Sequence, residues 1–290
     1  MIFVRTTRNL QMCGVGCLKH YMLNMKGFIK NIALLVGFIV MFVLLQLAVT
    51  IGVLNWSDGV VTDFNYMCIY FFSMLLCYIA ATLLERITFG RVVPIDNSRR
   101  GFNPVAILTG VILLFALSVV LSPLGELLPA DSRAFPEGTF TLVSVVILAP
   151  IFEEMIFRGR LYNILHHNSS PLTSASLSAL AFGIVHLEPI VIIEALVAGM
   201  VFSYFYIARR SIIAPIILHM CNNAFAYALL VLSYRDMSLL ELLGDGMNQR
   251  VVYATCVVIV VVCFAIILRR MLVERRNERR VVEDVEEIDE

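Results

Sequence analysis

Ala149-Pro150-Ile151-Phe152-Glu153-Glu154-Met155-Ile156-Phe157-Arg158-Gly159-Arg160-Leu161 is the stretch whose reading decides the fold. It sets two adjacent glutamates at the end of an apolar run, Leu142 to Phe152, that reads as part of a membrane span. One ionisable residue at that depth costs about 2.5–3.5 kcal/mol on insertion scales, and such a residue is a functional-site expectation by default. A second carboxylate beside it raises the cost, because like charges disfavour one another's ionised form. Arg158 follows Glu154 by four positions, so on a helix the two share a face and pair. Glu153 points about 100° away from that pair and is left free for chemistry.

Outward from this stretch the chain remains apolar. Its 290 residues are 60% hydrophobic with a mean hydropathy of +0.87, which excludes a soluble globular domain. Eight apolar segments can be drawn, at 31–54, 64–84, 104–122, 139–165, 172–187, 189–208, 211–231 and 251–268. Each is near the ~20 residues a helix needs to cross hydrocarbon. The expected fold is therefore an all-α polytopic membrane protein of about eight transmembrane helices. The fourth segment is long, and its last part, Arg158 to His166, reads as amphiphilic and emerging into the interface. The fifth is short and turns at Glu188-Pro189, where proline disfavours helix at the preceding residue.

The formal net charge is zero, but the charges are sorted along the chain. With eight spans and the N-terminus inside, every Lys and Arg except Arg133, Arg235 and Arg250 falls in an inner segment. That bias follows the positive-inside rule and predicts both termini in the cytoplasm. Three regions result: 1–138, an N-terminal cytoplasmic segment and three spans; 139–231, the polar-residue-bearing core; and 232–290, the last span and a charged tail. The tail runs from Arg-rich to acidic (Glu283 to Glu290), so its basic half suits anionic lipid and its end stays solvated. The first 28 residues lack a compact apolar h-region with a cleavage site, so the first span is expected to anchor the protein. The seven cysteines (13, 17, 68, 77, 221, 256 and 263) read as small hydrophobes on spans, suggesting neither a disulfide framework nor a metal site. The lipid bilayer is the expected surrounding partner, and nothing here points to nucleic acid.

Other polar residues lie within the spans: His186, Glu194, His219, Asn222 and Asn223. Counted from each span's cytoplasmic end at about 1.5 Å per residue, Glu153 lies roughly 18 Å deep, His186 about 21 Å and His219 about 13 Å. Three helices can thus bring them to one layer. A glutamate beside two histidines can activate water directly, or through a divalent metal such as zinc held by Glu153, His186 and His219. Asn223 shares a face with His219 and offers an amide N–H to an oxyanion. There is no helical His-Glu-x-x-His and no Gly-x-Ser-x-Gly elbow. His166 and His167 read as solvated, Asn222 as helix–helix glue, and Ala195, Ala198 and Gly199 as close-packing positions. Glu194, mid-span without a basic partner, either lines the same site or stays protonated against a neighbouring helix.

Glu153-Glu154-x-x-x-Arg158, Phe182-x-x-x-His186 and His219-x-x-x-Asn223, in that order over roughly 140–230, resemble the CPBP family of intramembrane proteases. That family includes CAAX prenyl endopeptidases of the Rce1 type and bacterial Abi-type proteins. The resemblance implies a helical fold with an intramembrane catalytic cavity open toward the cytosol, in an integral multi-pass protein of a bacterial plasma membrane. Glu153 would activate water, Glu154 would support it and pair with Arg158, His186 and His219 would complete a water or metal site, and Asn223 would donate to the oxyanion. The substrate implied is a peptide or protein, lipidated in the prenyl-processing members. Two other readings stand beside this one. A proton-coupled transporter would use the same residues as a relay, although their confinement to spans four to seven disfavours an inverted-repeat transporter. A non-catalytic scaffold of the same fold would bind a partner, although such a member would be expected to have lost motif residues.

Overall fold

The computed structural model describes residues 3–98, 103–128, 138–231 and 246–288, the side chains of 3–26, 126, 230, 271 and 274–288 excepted. Cys13, Cys17, the basic residues before Gly27 and the side chains of the acidic tail therefore lie outside the described residues. Among the described residues eight helices follow in order: α1 (Phe3–Trp56), α2 (Asp63–Phe89), α3 (Pro104–Leu127), α4 (Thr139–His166), α5 (Pro171–Ile184), α6 (Pro189–Arg209), α7 (Ile213–Val231) and α8 (Met247–Ile288). Among the described residues the only β pairing is an isolated antiparallel bridge, Asn97 to Ser211. The chain is an all-α polytopic membrane protein. Among the described residues six helices are long and apolar enough to cross a membrane, and α5 and α7 are shorter apolar helices. The eight expected segments are all helical, but two of them fall short of full spans.

Local chemistry sets the helix ends. Thr62 accepts from Asn65 N–H ahead of α2 and Asn103 from Ala106 N–H ahead of α3. Ser170 does the same from Thr173 ahead of α5. Each is the side-chain N-cap expected of a polar residue at a helix start. Pro104, Pro171 and Pro189 stand in the first turn of their helices, where a missing N–H leaves nothing unsatisfied.

Tertiary bonds sort the loops onto two faces. On one, Asp63 at the start of α2 accepts from Phe140 N–H (3.0 Å) and Thr141 N–H (2.6 Å) at the start of α4, and Tyr227 near the end of α7 donates to Gly138 O. On the other, Asn31 of α1 donates to Leu165 O and Ser169 Oγ, Ile212 N–H to Asp96 O, and Arg270 of α8 to Tyr204. The described loops read as inner thus gather on one face, as an up-and-down chain of eight helices requires.

α4 runs between α2, α5 and α7. Phe157 of α4 carries an aromatic column between α1 and α5, with ring centroids 5.8 Å from Phe38, 5.5 Å from Phe42 and 5.2 Å from Phe182. The helix is not regular. Two π-helical turns, Ser144–Leu148 and Phe157–Leu161, bracket the α-helical Ala149–Ile156 that carries both glutamates. The expected emergence of Arg158–His166 into the interface is corrected by the structure. Phe157 to Tyr162 are buried without exception, because Glu154 and Glu85 supply the arginines with buried countercharges.

Candidate active site

Glu154 and Arg158 meet as their spacing predicts, Nη1 to Oε1 at 2.8 Å with both side chains fully buried. A buried ion pair is steadied by further contacts to its charged groups. The guanidinium donates through Nη2 to Gly199 O at 3.1 Å and lies 4.6 Å and 5.3 Å from the ring centroids of Phe182 and Phe202. Gly199 is needed for that approach, since a Cβ there would stand 3.0 Å from Nη2 and 3.1 Å from Ala179 Cβ. The expected close-packing role of Gly199 thus extends to supplying a carbonyl to the buried cation.

His219 of α7 joins this pair from the opposite side. Its Nδ1 lies 2.9 Å from Glu154 Oε1 and its Nε2 lies 3.6 Å from Glu153 Oε2. An ionised carboxylate only accepts, so the Nδ1 facing Glu154 carries the proton and Nε2 is the atom presented to Glu153. Phe202 stacks on the imidazole at 4.8 Å and 20°, and Phe182 meets it edge-on at 5.6 Å. The ring is therefore held on two faces and at Nδ1, leaving one nitrogen for chemistry.

Glu154 is committed to Arg158, so Glu153 and the His219 Nε2 facing it at 3.6 Å are the pair left adjacent, which is the arrangement general acid–base chemistry requires.

Asn223 is held by a consequence of the first π turn. Ala149 N–H bonds Ser144 O instead of Val145 O, and the next residue along, Pro150, has no N–H to offer. Val145 O is left without a helical donor, and Asn223 Nδ2 supplies one at 2.9 Å. One amide N–H is committed there, and a second remains. Asn222, read as helix glue, donates weakly to Asn223 Oδ1 at 3.5 Å.

The structure thus gathers Glu153, Glu154, Arg158 and His219 into one bonded set, with Asn223 one turn along α7. His186 stands apart. It follows the end of α5, its Nδ1 is 2.7 Å from Phe182 O, and its ring packs edge-on to Phe182 at 5.0 Å. Among the described residues no hydrogen bond or ion pair links it to the carboxylates; its path to His219 runs through the Phe182 ring. Glu194 is exposed on α6. His167 is exposed, as expected, with its ring 4.3 Å from Phe89. His166 is half-buried, stacks on Tyr162 and has Nδ1 3.0 Å from Ser169 O.

Sequence reasoning missed what α2 contributes. Tyr70 donates to Glu153 Oε1 at 2.5 Å. Glu85, fully buried, accepts from Arg160 Nη1 at 3.1 Å and from Val93 N–H at 2.9 Å, while Arg160 also donates to Val93 O and Tyr78. The expectation that costly polar residues lie only in spans four to seven is therefore corrected. The available signal was a polar stripe on one apolar helix: Tyr66, Tyr70, Ser73, Cys77, Tyr78 and Glu85.

A divalent metal held by Glu153, His186 and His219 would need all three side chains to converge on one point. Among the described residues no three His, Cys, Asp or Glu side chains converge as metal ligands. His186 is the one missing from the set, turned to the Phe182 carbonyl. The residues as arranged do not fit a three-ligand protein site, which needs the ligands within bonding distance of one point.

Comparison with known proteins bears on the same helices. Residues 135–225 match the family described as "Type II CAAX prenyl endopeptidase Rce1-like". The chain is also 30% identical over 79 residues to a Bacillus subtilis (strain 168) protein named "Putative membrane peptidase YdiL", a stretch covering 27% of this chain and 32% of that relative. The chain thus spans about a third of the length of the curated relative it matches. No solved structure matches it. The matched stretch holds α4 to most of α7, and with them every residue of the Glu153–His219 set.

Proposed function

We propose that this chain is an intramembrane endopeptidase that hydrolyses a peptide bond in a membrane-associated peptide or protein, using water activated by Glu153. The observation that carries the reading is His219 bridging the two glutamates, Nδ1 on Glu154 and Nε2 facing Glu153. Glu154 is itself neutralised by Arg158, so its part is to orient the imidazole and fix its tautomer. Glu153 is the carboxylate left to exchange a proton.

In the reactive state Glu153 is ionised and His219 carries protons on both nitrogens. Glu153 Oε2 takes a proton from water as the water oxygen bonds to the scissile carbonyl carbon. The carbonyl electron pair moves onto its oxygen, and the His219 Nε2–H and the second Asn223 N–H are the donors proposed to stabilise it. Collapse of that intermediate breaks the C–N bond, and the departing amine takes the proton held by Glu153. No step runs through a metal. His186 is proposed to shape the site through Phe182, without bonding the reacting atoms.

The family name carries the substrate class proposed here, a chain with a lipid anchor close to its C-terminus. The positive-inside bias supports a cytoplasmic location for both termini and the Asn31–Ser169 face, with a bacterial plasma membrane as the proposed location. The test is comparative proteomics of membranes from cells with the wild type and with Glu153→Ala at equal expression. Membrane-associated C-terminal fragments present only with the wild type support the reading. Identical fragment profiles refute it.

A further inference from the structure

Glu153 has a partner that no motif supplies. Its Oε1 receives the Tyr70 hydroxyl at 2.5 Å, while its Oε2 is the oxygen facing His219 Nε2. The two carboxylate oxygens are thus treated differently. One is occupied by a hydroxyl from α2, and the other is presented toward α7. Tyr70 lies outside the family-matched stretch of 135–225.

The placement of Tyr70 is over-determined. Fifteen residues span the distance from Tyr70 to Glu85, about 22 Å of helix, and α2 is clamped to α4 on both sides of Tyr70. Toward its start, Asp63 caps the first turn of α4 through Phe140 and Thr141. Toward its end, Tyr78 and Glu85 bind Arg160 within the second π turn. Beside Tyr70 itself, Phe71 meets Phe152 edge-on at 5.7 Å. A helix held at both ends against the one bearing Glu153 delivers its hydroxyl without the play that a loop residue would have.

We infer that Tyr70 is the positioning residue for Glu153: it holds Oε1 so that Oε2 is the oxygen directed at His219 and at the attacking water. The inference rests on the proposed protease reading. A carboxylate rotates about its terminal bond over a broad, shallow range, and a 1 Å misplacement of a reacting group is enough to cost about a hundredfold in rate. Pinning one oxygen with a donor that binds no substrate removes that freedom before substrate arrives. The competing role, a bond that merely glues α2 to α4, predicts lost stability and nothing specific to Glu153.

The experiment uses the full chain in liposomes and compares Tyr70→Phe with the wild type and with Tyr227→Phe, which removes a hydroxyl bonded only at a helix end. The infrared band of the Glu153 carboxyl group is assigned by its loss in Glu153→Gln. The expected result is a band shifted in Tyr70→Phe and unmoved in Tyr227→Phe. With a cleavable reporter, kcat falls about tenfold, as loss of one hydrogen bond to a charged group implies, while KM and the unfolding midpoint stay near wild type. An unmoved band overturns the inference, and so does an unchanged kcat in a wild type that cleaves. Wild type that cleaves no reporter removes the protease reading and Tyr70's role with it.

Discussion

Replacing Arg158 by methionine should be among the most damaging single changes in the protein, and the structure says why. The guanidinium is fully buried and satisfies Glu154 at 2.8 Å, Gly199 O at 3.1 Å and the faces of two phenylalanines. Arg158→Met keeps the apolar stem but removes the guanidinium that Glu154 pairs with. Breaking a buried pair from one side costs about 3–5 kcal/mol, because an uncompensated charge stays behind. Removing both charges is milder and is often neutral. The double variant Glu154→Gln/Arg158→Met should therefore recover most of what the single variant loses. The assay is a double-mutant cycle on unfolding in mixed micelles, titrated with denaturing detergent and followed by far-UV circular dichroism and a second probe. The expected coupling is at least about 2 kcal/mol, well beyond the 0.3–0.5 kcal/mol typical of independent sites. Effects that add within that margin would refute the claim that these two residues neutralise each other.

Three further outcomes follow from particular contacts. Gly183→Ala would set a Cβ 2.6 Å from the Ile192 backbone oxygen; backbone cannot yield as a side chain does, so α5 and α6 should separate at a cost of about 1–3 kcal/mol, read as a lower unfolding midpoint. Asn223→Ala removes the donor to Val145 O, a loss of about 1 kcal/mol in stability, and if the second N–H serves the oxyanion kcat falls about 10²–10³-fold besides; a stability loss with kcat unchanged would assign Asn223 to the helix alone. Dialysis against a strong chelator should leave reporter cleavage intact, since the donor set does not converge on one point. Activity lost on chelation and restored by zinc would contradict the metal-free mechanism.

Much of this was readable from local pattern. Apolar length marked the eight helices to within a few residues over most of their ends, because hydrocarbon thickness sets the length of a run. Four-residue spacing marked the Glu154–Arg158 pair, which is a property of one helix. Depth counting brought Glu153 and His219 to one layer but could not separate them from His186. That difference depends on where α5 ends: His186 falls in the turn after it and bonds back to Phe182 O. The π turns were not readable, since an inserted residue shifts hydrogen bonds without changing which residues are apolar. Val145 O shows the effect, orphaned by the turn and Pro150 together. Tyr70 and Glu85 were missed for another reason. Their partners are 83 and 75 residues away, and no local rule pairs residues across helices. Arg160 was read as interfacial because its countercharge sits on α2, two helices earlier in the chain.

The proposed mechanism turns on one carboxylate, Glu153. Purified full-length chain in liposomes, offered a lipid-anchored reporter peptide identified from the fragment comparison, should cleave it with the wild type. Glu153→Gln keeps size and hydrogen-bonding capacity but cannot take the proton from water. The mechanism requires kcat lowered by about 10²–10⁴-fold, the usual contribution of a general base, with the unfolding midpoint retained. Cleavage at the wild-type rate by Glu153→Gln would contradict it.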